Sequence, residues 1–331
     1  MEAGKLDATN LENKVFPFTG KKRAEVVLRA AIGEDSAAIE LDDWCCVFSS
    51  DPITGAITEN GWLAVHVACN DVVANGAEPV GVMITVLMPE KTSAEDVEKV
   101  MKSAHEAALE LGIEIMGGHT EFTYGLDQPV ICTTAIGKVK KDKLITSAGA
   151  KPGDDIVITK AVGLEGTAIL ALDYEEQLKG LVAEKYLAKA KTFLQLISVV
   201  PEGRIASALG ATAMHDITEG GLLGALYEIA EASGVGIEVD AKSIPIWPET
   251  KTIAEALKID PFKLISSGSM LITVPEGDKL VAKLKEAGIN GAVIGKVTSG
   301  RQKKLIATEK VVEITKPEGD ELWRAKKMLD K

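Results

Sequence analysis

Residues 62–79, WLAVHVACNDVVANGAEP, hold the densest signal in this 331-residue chain. From Trp62 to Ala74 the run is apolar on nearly every side, the pattern of a helix buried all round rather than one with a wet face. Its last turns nevertheless carry Asn70 and Asp71. Burying an amide and a carboxylate is costly unless each is hydrogen-bonded or holds a cation, so this pair needs partners from elsewhere in the chain. Pro79 bounds the next run, Val80 to Met88, whose apolar and β-branched residues predict a strand.

Outward from that stretch, Trp44 to Ser50, Pro129 to Val139 and Asp155 to Thr159 read as further strands. Thr92 to Leu111 reads as a helix, with Ser93 and Asp96 as a capping box, one apolar stripe, and Gly112 as its stop. Tyr186 to Ser198, Gly221 to Ala232 and Lys279 to Ala287 also read as helices, and the charged segment from Glu318 as peripheral. This is a mixed α/β chain without a short repeat. The length suits two domains; the Gly- and Pro-bearing stretch Ser147–Asp154 marks the boundary, giving domains over 1–148 and 149–331.

Composition excludes several classes. A net charge of −12, with no basic run longer than Lys21-Lys22-Arg23, does not suit a nucleic-acid binder, and any phosphate bound here arrives with a metal ion. No apolar run approaches the ~20 residues of a membrane span, and Met1 to Asn10 lacks the apolar stretch of a signal peptide, so the expectation is a cytoplasmic chain with no membrane partner. Cys45, Cys46, Cys69 and Cys132 form no CxxC pair and read as reduced, buried thiols. His66-x-x-Cys69 is too sparse for zinc. Gly291–Val297 is one residue short of a Walker A loop, and Gly234-Val-Gly236 lacks the third glycine of a dinucleotide fingerprint.

What remains is a set of acidic and glycine-rich clusters at the ends of predicted elements. Asp35 precedes a strand, Asp51 follows one, Asn70 and Asp71 end the buried helix, and Gly117-Gly-His-Thr-Glu121 follows the short apolar run Ile113 to Met116. Each alone is readable as turn chemistry. Together, carboxylates from separate segments are the hard oxygen donors that Mg²⁺ takes alongside phosphate oxygens and water, and a glycine pair lets backbone amides approach a phosphate. In the second half, His215-Asp-Ile-Thr-Glu-Gly-Gly221 precedes an apolar helix; Thr218 is placed to cap it, with amides facing an anion. Leu264–Met270 is a further glycine loop, also readable as a tight turn.

In this order, Gly33-Glu-Asp-Ser-Ala-Ala, Ser50-Asp-Pro, Ala68-Cys-Asn-Asp71 with Gly76-Ala-Glu-Pro79, Gly117-Gly-His-Thr-Glu and His215-Asp-Ile-Thr-Glu-Gly-Gly221 resemble the PurM-like (AIR synthase-related) superfamily over residues 30–300. The resemblance implies a two-domain α/β fold, an N-terminal domain whose sheets pair across a homodimer, a C-terminal α/β sandwich domain, and ATP with Mg²⁺. It implies Asp35, Asp51 and Asp71 as metal carboxylates. Asn70, Gly117, Gly118, Thr120, Glu121 and Lys160 would contact nucleotide or phosphate, and Thr218, Gly220 and Gly221 the substrate side. Asp71, His119 and His215 are the candidate catalytic residues, the histidines as bases or as structural hydrogen-bonding groups. The reaction implied is phosphorylation of an oxygen of a small molecule or carboxamide, with ADP released.

Within the superfamily the segments look most like the HypE hydrogenase-maturation family. That family's pattern includes a C-terminal cysteine, whereas no cysteine follows Cys132 here; Glu219 replaces an Arg, and Ser266-Ser-Gly268 replaces Asn-Glu-Gly. The self-carried cyanide chemistry is therefore not expected. Small-molecule and protein substrates both stay open, as do a nucleotide-binding maturation or sensing scaffold without turnover, an AIR synthase and a thiamine-monophosphate kinase.

Overall fold

A computed structural model describes residues 6, 8–54, 60–307, 310–316 and 319–330. The chain divides into two compact units, one made of residues 22–30 and 34–144, the other of 1–21, 31–33 and 145–331.

The first unit is one six-stranded sheet in the order β1-β2-β3-β6-β4-β5. Its strands are β1 (Val26–Leu28), β2 (Ser36–Leu41), β3 (Trp44–Ile53), β4 (Glu78–Pro89), β5 (Glu114–Thr123) and β6 (Val130–Lys140). Only the β4–β5 pair is parallel, as its crossover through helix Ala94–Leu111 requires. That helix begins on the expected Ser93–Asp96 capping box and ends on left-handed Gly112. The buried helix runs from Asn60 to Ala74 and packs on β3, β4 and β6 as well as on helix 94–111. Gly61 permits the helix pair: a Cβ there would lie 2.1 Å from the Val100 carbonyl oxygen.

Side chains alternate across β3, so that Cys45, Val47 and Ser49 are buried toward helix 60–74, while Ser50 points to the other face and bonds Thr134 there at 2.9 Å. The face away from the helices keeps Phe48, Cys132 and Ile136 half-buried, with Val80 and Met83 exposed. β5 is the sheet edge and is exposed almost throughout. Gly117 to Glu121 are therefore part of a strand rather than of a loop, because the polar residues expected to form a turn pair with β4 along its length. Cys46 and Cys132 are half-buried rather than buried, and all four cysteines are free.

The second unit is a seven-stranded sheet, β13-β12-β9-β11-β7-β10-β8, built from β7 (Asp155–Thr159), β8 (Ala213–Asp216), β9 (Gly236–Asp240), β10 (Met270–Val274), β11 (Gly291–Thr298), β12 (Lys303–Ala307) and β13 (Lys310–Glu313). Ile156, Ile158, Leu222, Leu226, Ile237 and Leu271 belong to one apolar core that joins this sheet to helix Gly221–Ser233. A second core gathers Leu170, Leu187, Ile253, Leu257, Leu322 and Ala325.

Two expectations change here. The single helix over 186–198 is a helix over Glu184–Lys191 followed by a 3-10 segment, Thr192–Leu196; the Thr192 hydroxyl donates to the Lys189 carbonyl at 2.8 Å, a local bond that competes with helix continuation. Nor is the C-terminal segment peripheral: helix Glu321–Leu329 buries Leu322 and Ala325 in the second core, although Glu318 itself lies outside the described residues. No helix among the described residues is long and apolar enough to cross a membrane.

Candidate functional site

In the first unit two of the three expected metal carboxylates, Asp51 and Asp71, meet at one hydroxyl, and Asp35 reaches it through its main-chain carbonyl. Ser49 Oγ lies 2.5 Å from Asp71 Oδ2, 3.1 Å from Asp51 Oδ2 and 3.3 Å from the Asp35 carbonyl oxygen. The strand period explains this: Ser49 and Asp51 stand two residues apart on the same face of β3, and Asp51 is inside the strand rather than after it. Asp35 directly precedes Ser36, which pairs with Ser49 in register. Helix 60–74 brings Asp71, 4% exposed, and Asn70, fully buried, over that face.

The donor set is carboxylate, hydroxyl and carbonyl oxygen, which suits a hard divalent cation. A serine hydroxyl has one proton to give, and the 2.5 Å contact assigns it to Asp71. The Asp51 oxygen at 3.1 Å then faces oxygen without that proton, an arrangement that a cation relieves. The residues present fit Mg²⁺ on that ground.

Gly117, Gly118, His119, Thr120 and Glu121 are not brought to these carboxylates within the sheet, because β6 and β4 lie between β3 and β5. Gly118 is required for pairing: a Cβ there would fall 1.8 Å from the Ile84 carbonyl oxygen. His119 is largely exposed, with Nε2 3.0 Å from Glu121 Oε2. Hydrogen bonds from His119 and then Thr123 hold the Glu121 carboxyl below its ordinary range.

The candidates of the second unit are more closed than expected. His215 and Asp216 are buried on β8. His215 Nδ1 lies 2.7 Å from the Asp216 carbonyl and Nε2 lies 3.1 Å from Glu228 Oε2. A carbonyl only accepts, so Nδ1 carries a proton, and both nitrogens face fixed acceptors that tie β8 to helix 221–233.

At the turn, Gly220 rather than Thr218 is the N-cap, in left-handed conformation and without a side-chain cap bond. Thr218 instead accepts the Gly221 amide through its carbonyl at 3.0 Å. The Gly220 amide donates to Asp320 Oδ2 at 2.7 Å, so an internal carboxylate stands where an anion was expected. Asp320 also caps the C-terminal helix, accepting from Leu322 at 2.8 Å, and Trp323 Nε1 donates to Glu219 Oε1 at 3.0 Å. Burial raises the Asp320 carboxyl to about 7 against the pull of these amide bonds.

Lys160 is the other departure. Its ammonium pairs with buried Glu202 and donates to the carbonyls of Ser198 at 2.8 Å and Gly268 at 2.7 Å, which commits its three protons. Burial pushes its pKa down, against the Glu202 charge. In this arrangement Lys160 clamps the glycine loop and offers no donor to a phosphate. That loop is pinned again by Ser266, which accepts the Gly163 amide at 2.8 Å, and by Ser269, which donates to the Ala161 carbonyl at 2.6 Å.

Ser49, Glu202 and Asp320 are the residues that sequence reasoning left out. The alternation of β3 carries a signal for Ser49, and an Asp just before an amphipathic run carries one for Asp320 as a cap. Glu202 has none, since its partner is distant in sequence.

Known proteins agree with this architecture. Residues 33–139 match the family AIR synthase related protein, N-terminal domain, and residues 151–308 match AIR synthase related protein, C-terminal domain. A putative hydrogenase expression/formation protein of Methanocaldococcus jannaschii is 31% identical, covering 88% of each chain. A selenide, water dikinase of Myxococcus xanthus is 26% identical over 90% of this chain and 92% of its own. Among solved structures, a HypE–HypF complex superposes with a TM-score of 0.76 at 24% identity, covering 91% of this chain and 98% of that one. HypE in complex with ATP superposes at 0.68 with 25% identity, covering 85% and 87%. On these matches and its two sheets, the chain belongs to the AIR synthase-related family and has the two-domain, mixed α/β PurM-like fold.

Proposed function

We propose that this protein is an ATP- and Mg²⁺-dependent enzyme that phosphorylates an oxygen of a small molecule or of a carboxamide and releases ADP. The observation that carries the reading is the convergence of the Asp51 and Asp71 carboxylates on Ser49, with the main-chain carbonyl of Asp35 beside them. The HypE structure with ATP supports nucleotide use in a relative of similar fold. Bound Mg²⁺ supplies charge neutralisation between the carboxylates and the nucleotide's phosphates. Asp35, Asp51 and Asp71 would hold it, and Asn70, next to Asp71 in the same helical turn, would contact the nucleotide or the metal. The N-terminal domain, 1–148, holds nucleotide and metal, and the C-terminal domain, 149–331, holds the substrate. The protein works as a cytoplasmic homodimer paired through the uncovered face of the first sheet.

Calorimetric titration of ATP with and without Mg²⁺, on wild type and on Asp71→Asn, tests the site. The expected result is magnesium-dependent binding weakened at least ~10-fold in the variant; no binding by folded wild type would remove the enzyme reading. A nucleotide-binding maturation scaffold without turnover is the second reading, favoured by the Gly220 amide already engaged with Asp320. ADP release on adding a carboxamide or another phosphate acceptor decides against it.

A further inference from the structure

The carboxylate cluster sits beside two buried hydroxyls that have no hydrogen-bond partner among the described residues. Ser36 pairs with Ser49 across β2 and β3, and Thr133 pairs with Asp51 across β3 and β6. Directly paired residues share a face, so Ser36, Ser49, Asp51 and Thr133 all lie on the side that carries helix 60–74. Ser36 is 6% exposed and Thr133 fully buried, and among the described residues neither hydroxyl has a hydrogen-bond partner. A buried hydroxyl without a partner is a standing cost, and two of them flanking converging carboxylates call for a shared explanation. The apolar alternatives are close at hand, since Val47 and Ala135 occupy the same face one pair further along.

We infer that Ser49 and Thr133, with Ser36 beside them, are positioning residues of the cation site: Ser49 fixes the aim of Asp51 and Asp71, and Thr133 and Ser36 are held unbonded for the oxygen shell that comes with the cation. The inference rests on the reading of these carboxylates as a metal site and adds residues to it. Mg²⁺ retains several waters when it binds through one or two carboxylates, and those waters need donors and acceptors around them. Ser50, next in sequence, cannot take this part, because it faces the opposite side and bonds Thr134.

The discriminating experiment uses the full chain with ATP present, Mn²⁺ as the probe followed by electron paramagnetic resonance, and thermal unfolding of the metal-free protein. Thr133→Val keeps the shape and loses only the hydroxyl. It should raise the metal-free unfolding midpoint and weaken Mn²⁺ about 10-fold, a trade that a purely structural threonine would not show. Ser49→Val should weaken Mn²⁺ by ~10- to 100-fold, and Ser49→Thr, which restores the hydroxyl, should bind nearly as wild type does. If Ser49→Val fails to fold, Thr133→Val decides alone. Wild-type Mn²⁺ affinity in both valine variants, with Asp71→Asn defective, overturns the inference and leaves the metal site standing. No Mn²⁺ binding by wild type removes both.

Discussion

Lys160 is one of three non-glycine residues in left-handed conformation among those described, beside Asp42 and Lys258. Its conformation aims the ammonium into a cage of two carbonyls and Glu202, the last only 1% exposed. Removing one member of a buried ion pair strands the other, at a cost of about 3–5 kcal/mol. Lys160→Met should therefore lose stability on that scale in urea unfolding, and Lys160→Met with Glu202→Leu should recover most of it. Equal losses in the single and double variants would show that the pair is not the source. A lysine near glycine loops reads from sequence as a phosphate ligand because the sequence does not display Glu202, 42 positions away, folding against it.

At the level of the element, the C-terminal helix is a fastening. Asp320 caps it and at the same time holds the Gly220 amide, while Trp323 holds Glu219. The Asp320 carboxyl titrates at about 7 in the folded chain against an ordinary 3.8. Between those values the folded state binds the proton more tightly than the unfolded one, so each rise in pH favours unfolding. Its contribution to stability is greatest below 3.8 and is lost as pH climbs through about 7. Asp320→Asn should flatten the decline in unfolding midpoint over that window, read by circular dichroism at a series of pH values; an unchanged pH profile would exclude Asp320 as its origin. The helix ends that sequence identifies well are those with local chemistry, such as Ser93, Asp96 and Gly112. For helix 221–233 the local sequence points to a Thr218 cap, whereas the turn's partner, Asp320, comes from 100 residues downstream and leaves no local mark.

Across the whole molecule, the division of labour between the two faces of the first sheet was only half visible in the sequence. Asp35, Asp51 and Asp71 are recognisable as a set by their order along the chain, and the meeting of the Asp51 and Asp71 carboxylates at Ser49 follows once β3 and helix 60–74 are placed. The position of Gly117 to Glu121 did not follow, because a parallel pairing such as β4–β5 is made through a long crossover and leaves no local mark. The uncovered face, with Phe48, Ile136 and Met83, is where a second copy is expected. Met83→Glu should convert a dimer to monomer in light scattering without lowering the unfolding midpoint of the monomer; an unchanged mass would place any dimer contact elsewhere.

The ten paired positions that hold β3 to β6 also fix which serine meets the helix. A slip of one residue along that ladder would turn Ser49 and Asp51 outward and present Ser50 and Pro52 to Asp71 instead. If the proposed site binds a divalent ion, that binding also reports which face of the strand carries Ser49 and Asp51, so a chain that binds one has checked the facing of its own sheet.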